Sequence, residues 1–161
     1  MEADKLGKLT TTASLTKVFF KLNADSWHGY STESVWAEPI SSNRYRLRNT
    51  PFFAKGVSFE DIVFIQEQDG DLVFESTSIA AGHSTYRILL GKSVPDRDFS
   101  KYWHPLEEAG CSYESAVREK MLLLAVDVPP NADINAVYKL LEKGEKDGIW
   151  GFEEGHCGHA V

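Results

Sequence analysis

Two short segments hold the side chains best suited to chemistry. Gly82-His83-Ser84-Thr85-Tyr86-Arg87 gathers an imidazole, two aliphatic hydroxyls and a guanidinium in one run. Histidine exchanges protons near neutral pH, and arginine grips carboxylates or phosphates through a planar fork. Asn49-Thr50-Pro51-Phe52-Phe53 adds an amide, a rigid turn and two large rings. A small-molecule or nucleotide site around Asn49, His83 and Arg87 is one function these residues permit. Each also has a purely structural use. Ser84 next to His83 is not a nucleophile and its base, because such pairs are assembled across a fold with a third orienting group. On a strand, His83, Thr85 and Arg87 share one face while Ser84 and Tyr86 take the other. There His83 can bond to backbone and Arg87 can pair with a carboxylate. Asn49, Pro51 and Phe52 can form a turn that buries its own rings.

Nothing else amounts to catalytic machinery. Glu107-Glu108 and Glu153-Glu154 are adjacent and so do not face each other. No glycine-rich phosphate loop and no nucleophile elbow occurs. Gly155-His156-Cys157-Gly158-His159 offers two imidazoles and a thiol, with Cys111 or Glu154 as further donors, yet fits no standard zinc spacing. That segment reads as a flexible end. The sequence predicts no catalytic residue, no metal and no cofactor.

The elements that position these residues follow from periodicity. Thr16–Leu22, Glu33–Ile40 and Arg44–Arg48 alternate like strands, with Pro39 ending the second or lying at an edge. Asp61–Gln66 and Leu72–Ile79 flank Asp69-Gly70, a hairpin signal of the type I′ class. Thr85–Leu90 is a strand. Asp98–Ala109 has helical spacing and a stop at Gly110, with Pro105 splitting it into two pieces. Cys111–Ala116 and Lys120–Val128 are strands. Asp133–Gly144 is an amphipathic helix capped by Asp133 and stopped by Gly144, and Ile149–Glu153 is a last strand.

The expected class is α+β: a small curved antiparallel sheet or barrel, then a ferredoxin-like βαββαβ layer. The boundaries are a flexible tail over 1–15, a β-rich part over 16–84, an α+β part over 85–155 and a tail over 156–161. All belong to one compact body.

The chain has 161 residues, 42% of them apolar and 12% aromatic, enough for a core. No apolar run approaches membrane-spanning length, and the polar start lacks a signal-peptide core, so a cytoplasmic protein with two free thiols is expected. The net charge of −7 opposes direct nucleic-acid binding. Arg44, Arg46 and Arg48 form one basic strand face, which reads as solvated. RNA binding through a ferredoxin-like sheet would need a basic face with exposed aromatics, and the charge argues against it. An acidic surface instead suits a basic protein partner, one that handles nucleotides or nucleic acid. Trp27-His28-Gly29-Tyr30 is an aromatic loop that either anchors an interface or folds back over the core. Glu67, Asp69 and Asp71 supply carboxylates for the cationic side chains of such a partner.

The chain resembles a bacterial family of small proteins known only as a domain of unknown function. The resemblance rests on Val35-Trp36-Ala37, on Tyr45 through Ala54 with its Asn49-x-Pro51-Phe52-Phe53-Ala54 core, and on Asp61-Ile62-Val63. It continues through Gly82 to Arg87, Leu106, Gly110-Cys111, Glu114, Ala125 through Pro129, and Gly148-Ile149-Trp150. It spans nearly all of the chain after residue 16. In size and acidity the family is similar to immunity proteins encoded beside secreted antibacterial toxins. The resemblance implies an antitoxin that covers a toxin's active site and performs no chemistry itself.

Overall fold

The computed structural model describes residues 14–119 and 121–161. The expected tail over 1–15 lies almost wholly outside the described residues.

Strands β1 (Thr16–Lys21), β2 (Thr32–Ser41), β3 (Arg44–Leu47), β4 (Ile62–Gln68) and β5 (Asp71–Ile79) close into a barrel. Neighbours pair antiparallel, and β1 closes the ring by pairing parallel with β5. Alternation along each strand sends Val18, Val35, Ala37, Leu47 and Val63 inward as the barrel core. Asp69 and Gly70 both take positive φ, 52° and 87°, as the type I′ turn between β4 and β5 requires. β1 pairs with β2 only as far as Ala37, so Pro39 lies where β2 has outrun that partner and no donor is missed.

The rest of the chain forms a four-stranded sheet with two helices. Its strands are β6 (Ser84–Gly91), β7 (Ser112–Arg118), β8 (Met121–Val128) and β9 (Gly151–His156), in the order β7-β8-β6-β9, every neighbour antiparallel. Helix α1 (Asp96–Glu108) follows β6, and α2 (Ile134–Lys146) follows β8. Tyr86, Ile88, Leu124 and Val126 pack with helix residues Leu106, Val137 and Leu141. The opposite parity faces the barrel, where Leu123 and Ala125 meet Phe52 and Phe53. Covering on both faces explains the nearly unbroken apolar run of β8.

Three expectations are corrected. α1 is one helix with Pro105 inside it, because the proline sits in the last turn and frees only the carbonyl of the exposed Lys101. α2 does not stop at Gly144. Its stop is Gly148, at φ 76°, where Gly148 N–H donates to Glu145 O and Ile149 N–H to Gly144 O. Gly144 is instead a packing residue, since a Cβ there would overlap the Trp150 indole. The end of the chain is not loose. β9 reaches His156, Gly158 N–H donates to Ser84 Oγ, and the His159 ring bonds Ser84 Oγ and Pro129 O.

Candidate functional site

The loop after β3, residues 49–54, is the joint between barrel and sheet. β2 carries Glu33 on the same face as Val35 and Ala37, so its carboxylate points inward. It accepts N–H bonds from Phe52 at 2.6 Å, Phe53 at 3.0 Å and Ala54 at 2.8 Å. From the sheet side, Arg87 donates Nε to Phe52 O at 2.5 Å and Nη2 to Ala54 O. Glu114 on β7 accepts from Thr50 N–H at 2.6 Å and from Asn49 Nδ2 at 3.0 Å. Asn49 Oδ1 accepts from Trp36 N–H. Buried carboxylates and a buried guanidinium thus satisfy backbone groups that would otherwise be orphaned. Burial pushes Arg87 below the usual arginine range, while the charges of Glu33 and Glu153 act in the opposite direction.

This geometry decides the polar motif. Arg87 is 0% exposed and Asn49 6%, and both are occupied by the loop. Pro51 and Phe52 are buried in it as well. His83 lies at another place on the seam, its Nδ1 2.8 Å from Asp127 Oδ1 and its ring edge-on to Phe59. Burial lowers the His83 pKa, but the Asp127 hydrogen bond and charge, with Glu60 and Asp61, outweigh it and hold the imidazole above its ordinary value. Ser84 sits on the opposite face with His159. Nearby, Ser58 Oγ bonds Thr85 Oγ1 at 2.7 Å and His156 Nδ1 at 2.8 Å. Ser58 and Thr85 are 0% exposed, so this Ser–His contact is closed to a substrate. Asn49, His83 and Arg87 therefore do not converge on a common cavity.

The aromatic loop does build one. Between β1 and β2, Trp27, His28 and Tyr30 gather over Phe53, with ring centroids 6.1, 4.6 and 5.1 Å from it. His28 Nδ1 accepts the Tyr30 N–H at 2.9 Å, which fixes the loop and requires an unprotonated Nδ1. Burial pushes the His28 pKa below its ordinary value, with Arg87 and Lys55 acting in the same direction and Glu153 and Glu33 against it. A cavity of about 390 Å³ opens beside these rings, lined also by Leu89, Met121 and Leu123 and by Arg118 and Glu119. The Arg118 guanidinium lies 5.3 Å from the Tyr30 ring centre. Trp27 stays 56% exposed, and Tyr30 and Met121 are also exposed. Large apolar side chains are thus left in water around a concavity.

Glu67, Asp69 and Asp71 are exposed at the β4–β5 hairpin and form no part of this lining. Among the described residues no group of His, Cys, Asp and Glu is arranged to hold a metal, and no helix is long and apolar enough to cross a membrane.

Several contributors escaped sequence reasoning. Glu33 and Glu114 form the joint, Ser58 and Asp127 hold the seam, and Phe53 and Arg118 complete the cavity. Glu33 had a readable signal: a carboxylate in phase with the inward Val35 and Ala37 must find a buried partner. Arg118 had none, because its role depends on how the β7–β8 turn meets a loop far away in sequence.

No curated protein matches the chain. In fold it is similar to a hypothetical protein from Neisseria gonorrhoeae known from a crystal structure. That similarity has a TM-score of 0.71 at 19% identity and covers 93% of this chain and 99% of the other. The residues from Glu33 to Phe152, which hold the loop joint, the seam and most of the cavity lining, match the model of the domain of unknown function DUF4265, and the chain belongs to that family.

Proposed function

We propose that this protein works by binding another protein through the Trp27–His28–Tyr30 surface, as a cytoplasmic immunity protein that occludes the active site of a cognate secreted bacterial toxin. One observation carries the reading. The polar motif is consumed by internal structure, while Trp27 and Tyr30 remain in solvent around a preformed concavity. Aromatic side chains held rigid by stacking are efficient anchors, because they bury large area at little cost in entropy. The net charge of −7 supports a basic partner, one that handles nucleotides or nucleic acid. Glu67, Asp69 and Asp71 would speed its approach and pair with its Arg and Lys at the rim. The sheet order β7-β8-β6-β9, with helices after β6 and β8, supports a ferredoxin-like layer as the rigid base of this surface.

A small-molecule enzyme centred on Asn49, His83 and Arg87 draws no support from the geometry, since two of the three are buried and bonded to the loop. The test is co-expression with the product of the neighbouring gene. The reading expects that product to be toxic alone, to be neutralised by this protein, and to co-purify with it. A harmless neighbour, or a toxin that this protein neither binds nor neutralises, contradicts it.

A further inference from the structure

Cavity, rings and charge together identify a guest of defined chemistry. Trp27, His28, Tyr30 and Phe53 offer ring faces and edges, and the other apolar lining residues are aliphatic. A volume of about 390 Å³ suits a small molecule or a single ring-bearing group. Among the described residues that line it, Arg118 is the one Arg or Lys and Glu119 the one carboxylate.

These two charges are not equivalent. Glu119 is exposed and solvated. Arg118 is half-buried, with its guanidinium over the Tyr30 ring. Its Nη1 donates to Val117 O at 2.9 Å, but its Nε is buried without a hydrogen-bond partner among the described residues. A half-buried guanidinium whose donors are not all used favours an anionic acceptor from the cavity it lines. A cationic guest would meet that guanidinium on the Tyr30 face. His28 adds no second positive charge, because the Tyr30 N–H holds its Nδ1 as an acceptor and leaves the neutral ring with Nε2–H alone.

We infer that this cavity is a binding site for a small aromatic carboxylate, whose ring packs among Trp27, Tyr30 and Phe53 and whose carboxylate is held by Arg118. Binding of such an acid needs no protein partner, so it is separable from the docking reading although both use the same rings.

Phenylacetate is the probe, titrated calorimetrically into the full-length protein beside 2-phenylethanol and 2-phenylethylamine. The three share a ring and differ in the charge of the polar group. The acid is expected to bind at least about tenfold more tightly than the alcohol, as a charge-assisted hydrogen bond predicts, and the amine more weakly than both. R118Q should bring the acid down to the level of the alcohol. W27A should weaken acid and alcohol together. Both substitutions are outside the cores, and an unchanged unfolding midpoint verifies the fold. Absence of saturable phenylacetate binding, an amine that matches the acid, or an acid indifferent to R118Q overturns the inference. Phenylacetate binding without toxin capture would contradict the docking reading alone. Capture without phenylacetate binding would contradict this inference alone.

Discussion

Glu33 and Arg87 grip the same short loop from opposite sides. The carboxylate, on the barrel, accepts the N–H groups of Phe52, Phe53 and Ala54; the guanidinium, on the sheet, donates to the carbonyls of Phe52 and Ala54. The loop is thus a clasp whose polar backbone is satisfied from two layers at once.

Removing Glu33 strips three loop N–H groups of their acceptor, removing Arg87 strips two loop carbonyls of their donor, and either change leaves the remaining charge buried without its opposite. Truncation of one member of such a set typically costs about 3–5 kcal/mol. Glu33→Ala and Arg87→Met should each lose about that much in urea unfolding. Glu33→Gln should also destabilise, since its Oε1 can still accept but its NH2 would face a backbone N–H where the second carboxylate oxygen had accepted. An unfolding free energy within ~1 kcal/mol of wild type for Arg87→Met would refute the clasp.

His83 gives the clasp's seam a pH dependence. Its folded pKa is raised, so the unfolded state binds fewer protons than the native state across the window above 6.5. The stabilisation is fully present below pH 6.5 and fades as pH rises through the folded value. His83→Gln should therefore cost more stability at about pH 5.5 than at about pH 8.5. An equal loss at both would show that the Asp127 contact carries no proton linkage.

His28 has the opposite sign. Its folded pKa is lowered and its Nδ1 must accept from Tyr30, so its contribution is present above pH 6.5 and is lost as pH falls through the folded value. Acidification should loosen the aromatic loop, read as a shift in Trp27 fluorescence in a variant keeping Trp27 as its sole tryptophan. The same titration in a His28→Gln background should be flat. A transition that survives in that background would assign it to another group.

Gly144 offers a test that runs against helix propensity. Glycine to alanine inside a helix ordinarily gains up to about 1 kcal/mol. Here the new methyl would fall on the indole of Trp150, whose Nε1 donates to Leu141 O. Overpacking of this kind costs about 1–3 kcal/mol, so Gly144→Ala should lower the melting temperature. A higher melting temperature would mean that the indole moves aside freely.

Much of this architecture was legible in the residues. The alternating runs, the Asp69-Gly70 turn, the Asp133 cap and the Gly110 stop are local signals, and the observed elements follow them closely. Where reading failed, the deciding contact was remote. Gly144 looked like a helix stop until Trp150 folded onto it. His159 looked like loose chain end until Ser84 and Pro129 came to meet it. The aromatic loop was readable as an anchor, but its cavity was not, because Phe53, Leu89 and Arg118 arrive from three separate segments. The Asn49–His83–Arg87 grouping was misleading for the same reason: nearness in a motif does not fix which way side chains point once two layers close over them.

On the proposed function, binding through the aromatic loop is this protein's action. The most direct measurement is the affinity of the cognate toxin for wild type and for a folded Trp27→Ala/Tyr30→Ala double variant. Loss of two anchors should weaken binding by at least about 30-fold, or ~2 kcal/mol, and abolish protection of cells. A double variant that binds and protects as wild type does would contradict the account.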